Sequence, residues 1–164
     1  MNLATTAVAN IDDYPQLNLP PCDLTLREAC SHIEVWDVVR RRWVALTPEE
    51  WVRQHVVHAL EHSMGYPREM MQVEGSITLN QMTRRCDILV YGTNTSPKMI
   101  VECKKPQVKL TQKVVDQACR YNMVLDVPFL YLTNGLNHLI LSVDKEGERL
   151  VPIKNIPTWG ELNS

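Results

Sequence analysis

Apolar and polar positions along the chain follow two periods, and the change from one to the other marks out its elements. From Ile33 to Leu46 (IEVWDVVRRRWVAL) β-branched and aromatic residues dominate, which predicts an extended run or a hairpin. After Thr47 the period becomes helical: Val52, Val56, Ala59 and Leu60 fall on one face, and the helix should end near Met64-Gly65. Thr47 fits the N-cap, Pro48 the first helical position, and Glu50 stands three residues after the cap, as a capping box requires. Gln72–Leu79 (QVEGSITL) predicts a first core strand, and Cys86–Tyr91 (CDILVY) and Met99–Lys104 (MIVECK) form a hairpin about the turn GTNTSP. A second amphipathic helix runs from about Leu110 to Leu125, with Val114, Ala118, Tyr121 and Leu125 on its core face. Pro128–Thr133, an Asn134-Gly135 turn and Leu139–Val143 follow as strand, turn and strand, and a turn over Lys145–Glu148 leads into Leu150–Ile153. The tail, with Pro157 and Trp159, is placed to close an open end of the core.

This order predicts an α/β chain with a mixed sheet and helices packed against it. Residues 1–32, polar and proline-dotted through Pro20-Pro21, read as a leader, and residues 33–164 as one domain.

Composition narrows the function. With 164 residues, 45% of them hydrophobic and 22% charged, the chain has the make-up of an ordinary soluble globular domain. No apolar run reaches membrane-spanning length and the N-terminus lacks the pattern of a signal peptide, so a cytoplasmic location is expected. The five cysteines form no CxxC or zinc spacing and are expected as free thiols. A net charge of −2 excludes a general electrostatic attraction to nucleic acid, so any such binding must be local. No glycine precedes a lysine and none builds GxGxxG, which removes the P-loop and dinucleotide fingerprints.

The predicted hairpin carries Asp87 on one strand and Glu102 and Lys104 on the other. Strand alternation puts Glu102 and Lys104 on the face of Ile100, with Val101 and Cys103 opposite. Such a group is costly to bury unless its charges pair or hold a metal. Two readings are open: a structural ion pair at a solvated sheet end, or a site for a hard divalent cation with Lys104 beside its water. On the second helix Gln117 and Tyr121 stack at i and i+4, with Lys113 and Arg120 on the flank of Gln117 and Asp116 and Cys119 on the other side. Arg40-Arg41-Arg42 reads as a solvated turn in preference to a phosphate contact. Glu74 could approach the site from its strand, and the sequence does not decide this. His55, His58 and His62 gather on the outward face of the first helix; they could bind Zn²⁺, but the surface reading is simpler.

An Asp on one strand followed by Glu-x-Lys on the next resembles the PD-(D/E)xK nuclease superfamily. The chain looks most like the nuclease domain at the N-terminus of the motor subunit of type I restriction enzymes. The likeness runs through TPEEWVRQ, the MGYP turn, RRCDILVY, IVECKKP, the helix LTQKVVDQACRYN and LTNG, roughly Thr47 to Ser142. The resemblance implies a restriction-endonuclease-like fold, an α/β mixed sheet flanked by helices, that hydrolyses DNA phosphodiester bonds. It implies Mg²⁺, or Mn²⁺ in its place, held by Asp87 and Glu102, with Lys104 orienting the attacking water or stabilising charge on the phosphate. Gln117 and Tyr121 would support the site, and Lys113 and Arg120 would contact the DNA backbone. Cys86 stands where the superfamily name has Pro, at a position that does not touch metal. Related nucleases often add an acid from the first helix, but capping accounts for Glu50, and Glu49 and Glu50 are both left outside the predicted site. In type I enzymes this domain is fused to a motor, so the expectation is a domain that acts alone or with a separate motor or specificity subunit. The alternative is a non-catalytic module on the same fold that binds nucleic acid or a partner.

Overall fold

The computed structural model describes residues 10–79, 81–125, 127–146 and 148–164, excluding the side chains at 79, 121 and 123–125. An antiparallel three-stranded sheet comes first, made of β1 (Leu26–Ala29), β2 (His32–Asp37) and β3 (Arg42–Ala45). β2 and β3 are the expected hairpin, with Trp36 opposite Trp43. β1 lies within the stretch read as the leader, and its pairing with β2 carries the sheet across the 32/33 boundary. Earlier leader residues are also built in: Tyr14 and Leu17 are buried, and Tyr14 stacks on Trp51 while its hydroxyl donates to the Leu46 carbonyl.

Helix α1 spans Pro48–Met64. The Thr47 hydroxyl accepts the Glu50 N–H at 3.1 Å, and Gly65, at φ 74°, ends the helix in the left-handed conformation that glycine adopts without strain. The predicted stripe Val52, Val56, Ala59 and Leu60 is buried. Two details differ from the sequence reading. The Glu50 side chain does not turn back to cap Thr47; it pairs with Arg40 and Arg53. His55 is not on the outward face with His58 and His62; it is buried against Trp51, shares a groove with Tyr14 and Leu17, and its Nδ1 bonds the Trp51 carbonyl at 2.8 Å.

The main sheet has six strands in the order β11-β10-β9-β8-β7-β4. They are β4 (Met71–Val73), β7 (Ile88–Tyr91), β8 (Pro97–Cys103), β9 (Phe129–Thr133), β10 (His138–Asp144) and β11 (Arg149–Ile153). β8 and β9 run parallel, joined through helix α2 (Gln112–Leu125), and the other neighbours are antiparallel, which makes the sheet mixed. Alternation along β7 and β8 divides the core. Ile88, Val90 and Val101 join Val52, Val56 and Leu60 of α1, whereas Leu89 and Ile100 join Ala118 of α2 and Leu130 and Leu132 of β9. α1 and α2 therefore cover opposite faces.

QVEGSITL is not one strand. β4 ends at Val73, and β5 (Ser76–Leu79) pairs with β6 (Met82–Arg85) in a separate two-stranded sheet. The break falls at Glu74, whose φ of 54° is left-handed and cannot continue a ladder. Two backbone bonds span it, Glu74 N–H to Asp87 O at 2.9 Å and Cys86 N–H to Gly75 O at 2.8 Å.

At the β9–β10 turn Gly135 has φ 83°, and Asn134 Oδ1 accepts the N–H groups of Leu136 and Asn137. The predicted Lys145–Glu148 turn includes Gly147, which lies outside the described residues. A short helix α3 (Trp159–Leu162), with a Thr158/Glu161 capping box, buries Leu162 in the α1-side core and sets Trp159 edge-on to Tyr66. Tyr66 in turn donates to the Pro157 carbonyl at 2.6 Å. All five cysteines are free thiols, and among the described residues no helix is long and apolar enough to cross a membrane.

Candidate active site

The β7–β8 hairpin brings the acidic residues together. Asp87 lies just before β7, one residue short of the Ile88–Val101 pair, and near enough to Glu102 for its charge to act on that carboxyl. Each oxygen of Asp87 is engaged: Oδ2 accepts the Cys103 N–H at 2.8 Å, and Oδ1 accepts from Arg53 Nη2 at 2.8 Å. Glu102 is 8% exposed and its Oε1 accepts from Arg84 Nη2 at 2.7 Å. Burial pushes the Glu102 carboxyl up, Asp87 pushes it further, and Arg84 and Lys104 oppose them. Lys104 is fixed at its backbone, whose N–H donates to the Thr133 carbonyl at 2.8 Å, and its charge is felt by both Glu102 and Glu49.

A second layer of charge lies behind this pair. Arg53 on α1 donates to Glu49, Glu50 and Asp87, and comes within 3.8 Å of Glu74. Arg40, in the β2–β3 turn, binds Asp37 at 2.7 Å, Glu50 at 2.6 Å and Glu74 at 3.0 Å. Gln54 Nε2 donates to both Asp37 and Glu50 at 2.8 Å. The arginine triplet is thus not a uniformly solvated turn: Arg41 and Arg42 are exposed, while Arg40 is committed to three carboxylates. The kink at Glu74 aims its carboxylate at Arg40 and Arg85; burial pushes the carboxyl up, but the combined charges of Arg40, Arg53 and Arg85 outweigh burial and hold it below the usual glutamate range. Glu49 is shifted upward, by burial first and by Asp87 next. One local signal for this layer is present in the sequence: Glu49 and Glu50 precede Arg53 by four and three residues, the spacing at which helical side chains meet.

On α2, Lys113, Gln117 and Arg120 are exposed, and the Tyr121 side chain lies outside the described residues. Arg120 donates from Nε to the Asp116 carbonyl at 3.3 Å and lines a groove with Asp116, Cys119 and Leu150 of β11. A helical wheel sets Asp116 and Cys119 on the other side; in the structure all three share one groove, on the side of the sheet edge opposite β4. On α1 the rings of His58 and His62 lie 5.6 Å apart beside Cys22 and Asp23. Among the described residues no three His, Cys, Asp or Glu side chains are grouped so as to hold a metal. A cage made wholly of protein ligands is therefore not what Asp87 and Glu102 offer. Two adjacent carboxylates suit Mg²⁺, which keeps several of its waters and takes one or two carboxylates from the protein.

Residues 48–157 match the family described as type I restriction enzyme R protein N terminus. Among solved structures, the chain is similar to a fragment described as an HsdR subunit of a type I restriction enzyme from Vibrio vulnificus YJ016. The identity is 26% and the TM-score 0.47, over 71% of this chain and 24% of that one. The chain thus spans about a quarter of the length of that relative. No curated protein matches.

Proposed function

Since the chain belongs to the family of type I restriction enzyme R protein N termini, we propose that it is a metal-dependent deoxyribonuclease domain of the PD-(D/E)xK type, hydrolysing DNA phosphodiester bonds. The observation that carries this reading is the Asp87–Glu102 pair. Burial first, and the neighbouring Asp87 charge after it, raise the Glu102 carboxyl, so ionising it in this place costs stability. A divalent cation relieves it. Asp87 and Glu102 would hold Mg²⁺ or Mn²⁺, which polarises a phosphate and lowers the pKa of a bound water.

The chain's own residues supply the rest. Lys104, anchored through its backbone to β9, presents an ammonium that orients the attacking water or stabilises charge on the phosphoryl oxygens. Arg53 and the Cys103 N–H fix the plane of Asp87. Gln117 and Tyr121 on α2 support the site, and Lys113 and Arg120 contact the phosphate backbone. DNA and the other subunits of a restriction complex, a motor or a specificity subunit, are the proposed partners. A second reading has one observation in its favour: Arg53 and Arg84 already neutralise the two carboxylates, as they would in a non-catalytic binding module.

Purified wild type and Asp87→Ala, incubated with linear, supercoiled and single-stranded DNA in Mg²⁺, Mn²⁺ or EDTA, separate the two. Metal-dependent cutting that disappears in the variant is expected. No cutting by either protein on any substrate, with or without a restriction motor and specificity subunit, would favour the binding module.

A further inference from the structure

We infer that Arg53 is a positioning residue that locks the Asp87 carboxylate in the orientation needed to take up a divalent cation, an inference that rests on the nuclease reading above. Arg53 is 5% exposed and sits in the second turn of α1, a long helix capped at both ends. One guanidinium nitrogen, Nη2, is shared between Glu49 Oε1 at 3.0 Å and Asp87 Oδ1 at 2.8 Å, while Nη1 is bound to Glu50. The second oxygen of Asp87 is held by a backbone N–H of β8. Asp87 is therefore gripped by a helix on one side and a strand on the other, so its carboxyl cannot rotate without breaking a charge-assisted bond. Each carboxylate oxygen has a second lone pair, which leaves both able to face a cation.

Three further features separate this from a simple ion pair. The grip is itself supported, because Glu50 divides its oxygens between Arg53 on one side and Arg40 and Gln54 on the other. Among the described residues Arg53 Nε is buried without a hydrogen-bond partner, so the guanidinium is oriented by the carboxylates at its far end and not by full satisfaction of its own donors. The task also needs a planar fork: a lysine ammonium at the same place would keep the charge but could not address Glu49, Glu50 and Asp87 in one plane.

The test is a Mn²⁺ titration of the folded protein by calorimetry, with thermal midpoint and circular dichroism measured alongside. Arg53→Lys, which retains the buried positive charge, is expected to fold and to bind Mn²⁺ about tenfold or more weakly, the size of effect seen when partners that orient metal ligands are removed. Glu50→Gln, which loosens the same guanidinium without touching Asp87, is expected to lower the thermal midpoint and to weaken Mn²⁺ binding by less than the loss at Arg53, because Arg53 keeps its bond to Asp87. Should Arg53→Lys fail to fold, the Glu50→Gln/Arg53→Gln double variant removes one charge of each sign and carries the same expectation. Wild-type Mn²⁺ affinity in a folded Arg53 variant would overturn the role of Arg53 and leave the metal-dependent reading standing. No Mn²⁺ binding by the wild type would overturn both.

Discussion

Asp87 stands beside Glu102 at the end of the β7–β8 ladder, and its charge adds to burial in holding the Glu102 carboxyl above the ordinary glutamate range. A carboxyl whose pKa is raised on folding favours the folded state while it is protonated, and that advantage is lost as pH rises through the folded-state pKa. Above that pKa the ionised Glu102 is therefore a net cost. Glu102→Gln is expected to raise the thermal midpoint by a few degrees, the scale on which a small stability gain shows in a chain of this size, and to abolish metal-dependent cleavage. Calorimetric melting of the two proteins at pH 7 checks the sign; a lower midpoint in the variant would contradict it.

Cation uptake should carry the same signature. Glu102 has to lose its proton to hold Mg²⁺ or Mn²⁺ well, and its pKa is raised. Mn²⁺ affinity is expected to fall, as pH is lowered, at a pH above the ordinary glutamate value of about 4.3. A titration series across pH locates the inflection, and one at the ordinary value would remove Glu102 from the metal.

On the proposed function Lys104 would serve the chemical step and not the fold, since the bond that fixes it is made by its backbone N–H and survives substitution. Lys104→Ala is expected to reduce single-turnover cleavage by about 100-fold or more, with thermal midpoint and DNA affinity little changed. Full cleavage in the variant would sink the assigned role.

Lys113 and Arg120 should differ. Lys113 is exposed at the start of α2, whereas Arg120 is tied back to the Asp116 carbonyl in a groove beside Leu150 of β11. Lys113→Ala is expected to weaken DNA binding and reduce the salt slope by about one; Arg120→Ala should do less. Affinity measured at several salt concentrations decides, and an unchanged slope in both variants would place the DNA away from α2.

What could be read from the sequence was what short-range chemistry fixes. Thr47 and Pro48 start α1 through local geometry, and CDILVY and MIVECK declare a hairpin by their alternation and the turn between them, which was enough to pair Asp87 with Glu102. The mixed α/β sheet followed from the order of such segments. The charge layer did not, because its contacts join residues far apart in the chain: Arg40 reaches Glu74, and Arg53 reaches Asp87, only after α1 has docked on the sheet. Sequence alone points Glu50 to the cap because the capping spacing is local and its arginine partners are not. The kink within QVEGSITL was hidden for another reason. A left-handed Glu74 has no sequence marker of its own, since Gly75, the residue that would advertise such a backbone, stands one place later and without a positive φ. A helical wheel puts His55 on the outer face because it takes no account of the N-terminal segment that closes over Trp51.

Arg40 bears on where this domain can be cut. The family match begins at residue 48, after the three-stranded sheet, yet Arg40 comes from that sheet and neutralises Glu50 and Glu74 beneath the site. A polypeptide trimmed to the matched span would keep both carboxylates and lose their shared counter-ion, leaving Glu50 buried with Arg53 as its one remaining cationic neighbour. The same cut would uncover the Trp51 ring by removing Tyr14. The smallest transplantable unit is accordingly larger than the recognisable one: grafted onto another scaffold, the Asp87–Glu102 cluster must bring its N-terminal strands with it.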